Sequence, residues 1–87
     1  MDIEKVLASK GKVRILKVLM KEGQINISRL VKLTGLHHDV VVKNMKDLKK
    51  LGIVEEKRYG RLRIYMVDLR NPKISGLYEI IKEIESL

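Results

Sequence analysis

The sequence contains no cysteine, which excludes disulfides, thiolate metal sites and cysteine nucleophiles together. Trp and Phe are also absent, and the only aromatics are three Tyr. Proline occurs once, at Pro72. No run of about 18 apolar residues exists, so no membrane-spanning helix is expected. The N-terminus lacks the charged start, apolar stretch and small-residue cleavage pattern of a signal peptide, and the expected location is cytoplasmic. There is no phosphate-binding loop, no recognisable carboxylate pair and no nucleophile beside a base, so no enzyme and no cofactor are expected. The only histidines are His37 and His38. Neighbours on a helix point about 100° apart, so these two are poorly placed to chelate one ion. No metal is expected.

What remains is a small, basic, globular chain. Its 87 residues suit one domain, 1–87, and no linker divides them. A composition of 45% hydrophobic and 34% charged residues is that of a folded protein. The net charge of +8 is uneven: of 19 basic and 11 acidic residues, only two basic and three acidic lie in 73–87, leaving 17 against 8 in the rest. A basic body with a mildly acidic tail predicts a polyanionic partner for the body and another role for the tail. One Gln beside abundant Lys, Ile, Val and Glu leans towards a heat-adapted, thermophilic source.

Apolar spacing predicts a helix over 3–8, capped by Asp2, and a second over 11–22, capped by Ser9 and closed by Gly23. Residues 24–26 read as a short extended connector. Asn26 or Ser28 can cap a helix over 27–34, and Thr34-Gly35-Leu36 breaks it. A longer helix follows over 38–51, its inner face Val41, Met45, Leu48 and Leu51. The period then changes to that of strands, 53–58 and 61–67, with a turn at Tyr59-Gly60. Asn71-Pro72 reads as a helix start, Asn capping and Pro at the first position. Ile74, Leu77, Tyr78, Ile81, Ile84 and Leu87 form one stripe to the end.

A helix ending in Leu-Thr-Gly-Leu and followed by a second helix is the helix-turn-helix pattern, with Gly35 permitting the turn and Leu36 packing beneath it. The segment LVKLTGLHHDVVVKNMKDLKKLGIVEE, Leu30–Glu56, resembles the core of winged helix regulators of the ArsR and MarR type. The resemblance rests on Gly35-Leu36, on Val41, Met45 and Leu48, and on the Leu51-Gly52-Ile53-Val54 exit into the hairpin. It implies a mainly α fold with a small β-hairpin (α+β): helix-turn-helix at 27–51, wing at 53–67 and a dimerisation helix at 72–87.

The resemblance also implies double-stranded DNA as partner, with the 38–51 helix in the major groove. If Val41, Met45 and Leu48 face inward, then His38, Asp39, Val42, Lys43 and Lys46 face outward. His38 can bond a base edge, Val42 can touch a thymine methyl, and Lys43 can reach guanine or phosphate. Lys46 can do the same or be an ordinary solvated lysine. His37 stands where a cap is expected, as a cap or a phosphate contact. Asp39 would repel phosphate. It can pair with Lys43 one turn on or sit in the positive field of the helix start.

Lys57, Arg58, Arg61 and Arg63 around Tyr59-Gly60 suit phosphates or the minor groove; the plain alternative is charge protecting an edge strand. Ser28 and Arg29 at a helix start are candidate phosphate contacts, with Lys10 and Lys12 weaker ones. A domain this small buries only about 60% of its unfolded surface, so a dimer would add core. Similar proteins pair terminal helices across a two-fold axis. That implies a homodimer through Ile3, Val6, Leu7, Ile74, Leu77, Tyr78, Ile81 and Ile84, with a near-palindromic operator. A sequence-specific transcription regulator is the expected function. A non-specific architectural DNA-binding protein and a winged helix protein–protein module are the alternatives. No small-molecule effector is evident.

Overall fold

Ser9 separates the first two helices. Its hydroxyl accepts from the Lys12 backbone N–H at 3.2 Å, supplying one of the bonds a helix start lacks. In the computed structural model, which describes residues 3–85 and the side chains of 4–85, this divides α1 (Ile3–Ala8) from α2 (Lys10–Glu22). Asp2 as a cap, the Ile3 side chain and Leu87 lie outside those described residues. Next come β1 (Gln24–Asn26), α3 (Ile27–Thr34), α4 (His38–Lys50), β2 (Val54–Tyr59), β3 (Leu62–Val67) and α5 (Ile74–Glu85).

The core is the sum of the inner faces. Ile15, Leu16 and Leu19 of α2, Leu30 of α3 and Val41, Met45 and Leu48 of α4 meet Ile25, Ile53, Val54 and Tyr65 from the sheet side. Val6, Ile74, Leu77 and Ile81 join the same cluster from the two terminal helices. The spacing that predicted the inner face of α4 is thus realised, and Leu36 packs against the cluster below the turn.

The connector at 24–26 turns out to be a strand. Gln24, Ile25 and Asn26 pair antiparallel with Met66, Tyr65 and Ile64, giving a three-stranded sheet in the order β1-β3-β2. The hairpin turn also differs from expectation. Tyr59 pairs with Leu62, so the two-residue loop is Gly60-Arg61. Glycine at the first loop position, with φ 62°, suits a type II′ hairpin, whose twist matches that of the strands.

The last helix begins later than the Asn71-Pro72 signal. Asn71 accepts from the Lys73 N–H at 3.0 Å and donates to the Gly52 carbonyl at 3.0 Å, so it forms a tight turn and α5 starts at Ile74. No helix among the described residues is long and apolar enough to cross a membrane.

Candidate nucleic-acid interface

The turn between α3 and α4 sets the angle of the exposed helix. Gly35 is left-handed, φ 71° and ψ 9°, and its N–H bonds the Val31 carbonyl; a side chain there would be strained. The buried Thr34 hydroxyl donates to the Leu30 carbonyl at 2.7 Å and accepts from the Leu36 N–H at 3.3 Å. Arg14 reaches from α2 to the Thr34 carbonyl at 3.3 Å. The end of α3 is therefore held from inside and from a neighbouring helix.

A second brace fixes α4 to α2. Gly11 faces Asn44 so closely that a Cβ would stand 2.7 Å from the Asn44 amide nitrogen. Next to that contact, Lys12 Nζ donates to Asn44 Oδ1 at 3.0 Å and to Asp47 Oδ2 at 3.1 Å. The Lys12 side chain is only 14% exposed. Lys12 is thereby removed from the candidate DNA contacts: it ties the two helices together. Its hydrogen bond, with its charge, holds the Asp47 carboxyl below the usual range.

Outside this brace, α4 exposes His37 at its cap and then His38, Asp39, Val40, Val42, Lys43 and Lys46. His37 holds the cap position without a side-chain capping bond, so the capping role is set aside. The Asp39 carboxylate lies 3.8 Å from His38 Nδ1.

The wing packs beside α4 and creates two grooves. One, with a volume of about 440 Å³, is lined by Asn26, Ile27, Ser28, His38, Arg61, Leu62 and Arg63. It joins the start of α3, the start of α4 and the hairpin tip. The other, of about 170 Å³, lies between α4 and the strands, with Val42, Lys46, Lys49, Arg58 and Arg63 among its walls. Arg63 belongs to both. Of the residues picked out in the sequence, Ser28, His38, Arg61 and Arg63 are brought together at one groove, and Val42, Lys46, Arg58 and Arg63 at the other.

Others stand apart. Arg58 pairs with Arg63 and Tyr59 with Leu62 across the ladder. Alternation along β2 therefore puts Lys57 and Tyr59 on the face opposite Arg58. Lys57, Tyr59, Lys43 and His37 are exposed but line neither groove. Arg29 is near the first groove, yet its guanidinium leans to Glu22 at 3.6 Å while its backbone N–H is taken by the Asn26 cap at 2.8 Å.

Two charged groove residues escaped the sequence reading. Lys49 follows Val42 and Lys46 at steps of four and three, a spacing that could have identified it. Glu56 sits among the cations. It accepts from the Tyr65 hydroxyl at 2.7 Å and lies 3.2 Å from Lys49 and 3.5 Å from Arg58. The Tyr65 bond first, then Lys49 and Arg58, hold its carboxyl below the usual range against the opposing effect of burial.

The expected dimer face needs correction. Val6, Ile74, Leu77 and Ile81 are buried within the single chain, at 5% exposure or less, and have no area left to offer a partner. Leu7 is half-buried. On α5 the exposed apolar side chains are Tyr78, Ile80 and Ile84, of which Ile80 was not anticipated. Among the described residues no group of three or more His, Asp or Glu is arranged to hold a metal ion.

No protein-family model matches the chain, and no curated protein matches its sequence. Solved structures do match. That of Rv0081 from Mycobacterium tuberculosis superposes with a TM-score of 0.76 at 25% identity, over 94% of this chain and 80% of that one. The homodimeric winged helix-turn-helix DNA-binding domain of Mb0332 from Mycobacterium bovis, a possible ArsR-family transcriptional regulator, gives 0.77 at 23% identity, over 97% and 75%. The transcriptional repressor PagR of Bacillus anthracis gives 0.76 at 19%, over 92% and 88%. The chain has the winged helix-turn-helix fold and resembles regulators of the ArsR type.

Proposed function

We propose that this protein is a sequence-specific regulator of transcription that binds double-stranded DNA as a homodimer, α4 in the major groove and the wing on phosphates or in the minor groove. The observation that carries the reading is the pair of grooves flanking α4, both lined by cations and joined by Arg63. Between these cations α4 exposes Val42, an apolar group that suits a thymine methyl better than water. Cations supply affinity for any duplex, and the side chains of α4 supply preference among sequences. Arg61 in the two-residue tip and Arg63 just inside β3 suit a phosphate track or a narrow minor groove. Ile80 and Ile84, exposed along α5, supply a self-complementary apolar strip for the second copy. The superposed Mb0332 domain is itself homodimeric.

The test is selection from a pool of random duplexes at two salt concentrations. An enriched near-palindrome that survives the higher salt is the expected result. Salt-sensitive binding with no enriched sequence would replace the reading with a non-specific architectural one, because phosphate contacts alone generate no preference. Absence of binding would move the protein to the class of protein–protein modules.

A further inference from the structure

We infer that Glu56 restrains the affinity of the proposed DNA surface by holding Lys49 and Arg58 away from incoming phosphates. The inference rests on the DNA-binding reading. Its geometry is that of a largely buried anion beneath exposed cations. The Glu56 side chain is 11% exposed, whereas those of Lys49 and Arg58 are 54% and 60% exposed. One carboxylate oxygen, Oε1, accepts from the Tyr65 hydroxyl at 2.7 Å; the other, Oε2, faces Lys49 Nζ at 3.2 Å and Arg58 Nε at 3.5 Å. Glu56 pairs with Tyr65 across the ladder, so backbone register and hydrogen bond point the carboxylate to the same place.

Among the residues lining this groove Glu56 is the only acid; the cations there are Lys46, Lys49, Arg58 and Arg63. Glu55, its neighbour, falls on the opposite face of β2 and pairs with Arg70 at 3.2 Å.

A phosphate entering the groove must draw Lys49 and Arg58 off a carboxylate that cannot swing aside, and it then lies near that negative charge. Exposed ion pairs of this kind are weak, so the exchange is reversible. It nevertheless opposes every duplex alike. Contacts from Val42 and Lys46, on the same groove, offset it only where the bases match. Glu56 thus lowers affinity for random and selected duplexes by a similar factor, and only a matched site has base contacts to offset the loss.

The variant Glu56→Gln keeps the shape and the acceptor for Tyr65 while removing the charge. Wild type and variant are titrated with a selected duplex and a random duplex across a salt series. The expected result is binding of both duplexes about tenfold tighter, with a salt slope steeper by up to roughly two cations at about 0.9 each, and a ratio of selected to random affinity close to that of wild type. Tyr65→Phe, which releases the carboxylate but keeps its charge, should move affinity in the same direction by less. Random-duplex binding that is unchanged or weaker in Glu56→Gln, with wild-type binding intact, overturns the role of Glu56 and leaves the DNA reading standing. A wild-type protein that binds no duplex overturns that reading and this inference together.

Discussion

A single methyl group at position 11 would probe how α4 is seated. Its Cβ would meet the Asn44 amide at 2.7 Å, and Asn44 cannot retreat without loosening its bond to Lys12. Gly11→Ala in the wild-type background should therefore cost about 1 kcal/mol or more, within the usual range for overpacking. In an Asn44→Ala background the obstacle is gone, and the same change should stabilise by up to about 1 kcal/mol through helix propensity. Thermal unfolding of the four proteins checks the reversal of sign, and equal effects in both backgrounds would refute the contact. At the hairpin tip, Arg61→Ala should weaken binding to all duplexes alike and flatten the salt slope by about one unit; an unaltered slope would remove the wing from the interface. At this scale the sequence is legible where a residue answers to one periodicity. Val41, Met45 and Leu48 needed only the helical period. Lys12 and Glu56 were not legible because burial of a charge depends on partners 35 and 9 residues away.

Among the elements, α5 shows most clearly how a pattern can be right and its partner wrong. An unbroken apolar stripe announces a buried face without naming what buries it. Ile74, Leu77 and Ile81 turn to the chain's own core, and Ile80 and Ile84 stay exposed beside them. The two groups predict different failures. Leu77→Glu would bury an unpaired charge and should unfold a domain of this size. Ile80→Glu with Ile84→Glu should leave the thermal transition of the single chain in place and yield monomers by sedimentation at micromolar concentration. A double variant that still sediments as a dimer would move the interface off α5. β1 was legible only as an extended connector because three residues fall below the length at which strand alternation can be counted. It is a strand because β3 offers an unpaired edge next to it.

Across the whole molecule, the acid response follows from three carboxyls held low by basic or hydroxyl partners: Asp47 by Lys12, Glu56 chiefly by Tyr65 and Asp68 by Arg70. The unfolded chain takes up those protons first as pH falls, so the stability they contribute is present above the ordinary carboxylate range and lost below it. The thermal midpoint should hold from about pH 7 to about pH 5 and then decline towards about pH 2. Glu56→Gln should make the decline shallower, and a midpoint indifferent to pH over that interval would show that these pairs do not matter to folding. The uneven charge distribution was legible at once from composition. The division of cations between two grooves was not, since it requires the wing to be folded against α4. The wing is also not a loose arm. Asn26 caps α3 while pairing with Ile64 of β3, so one residue joins the strand that carries the wing to the helix that precedes the reader. The wing is thereby braced to the helix that leads into α4. On the proposed DNA-binding reading it would work as a fixed caliper: a duplex that does not match its span would have to bend to meet it, and local DNA stiffness would enter the affinity.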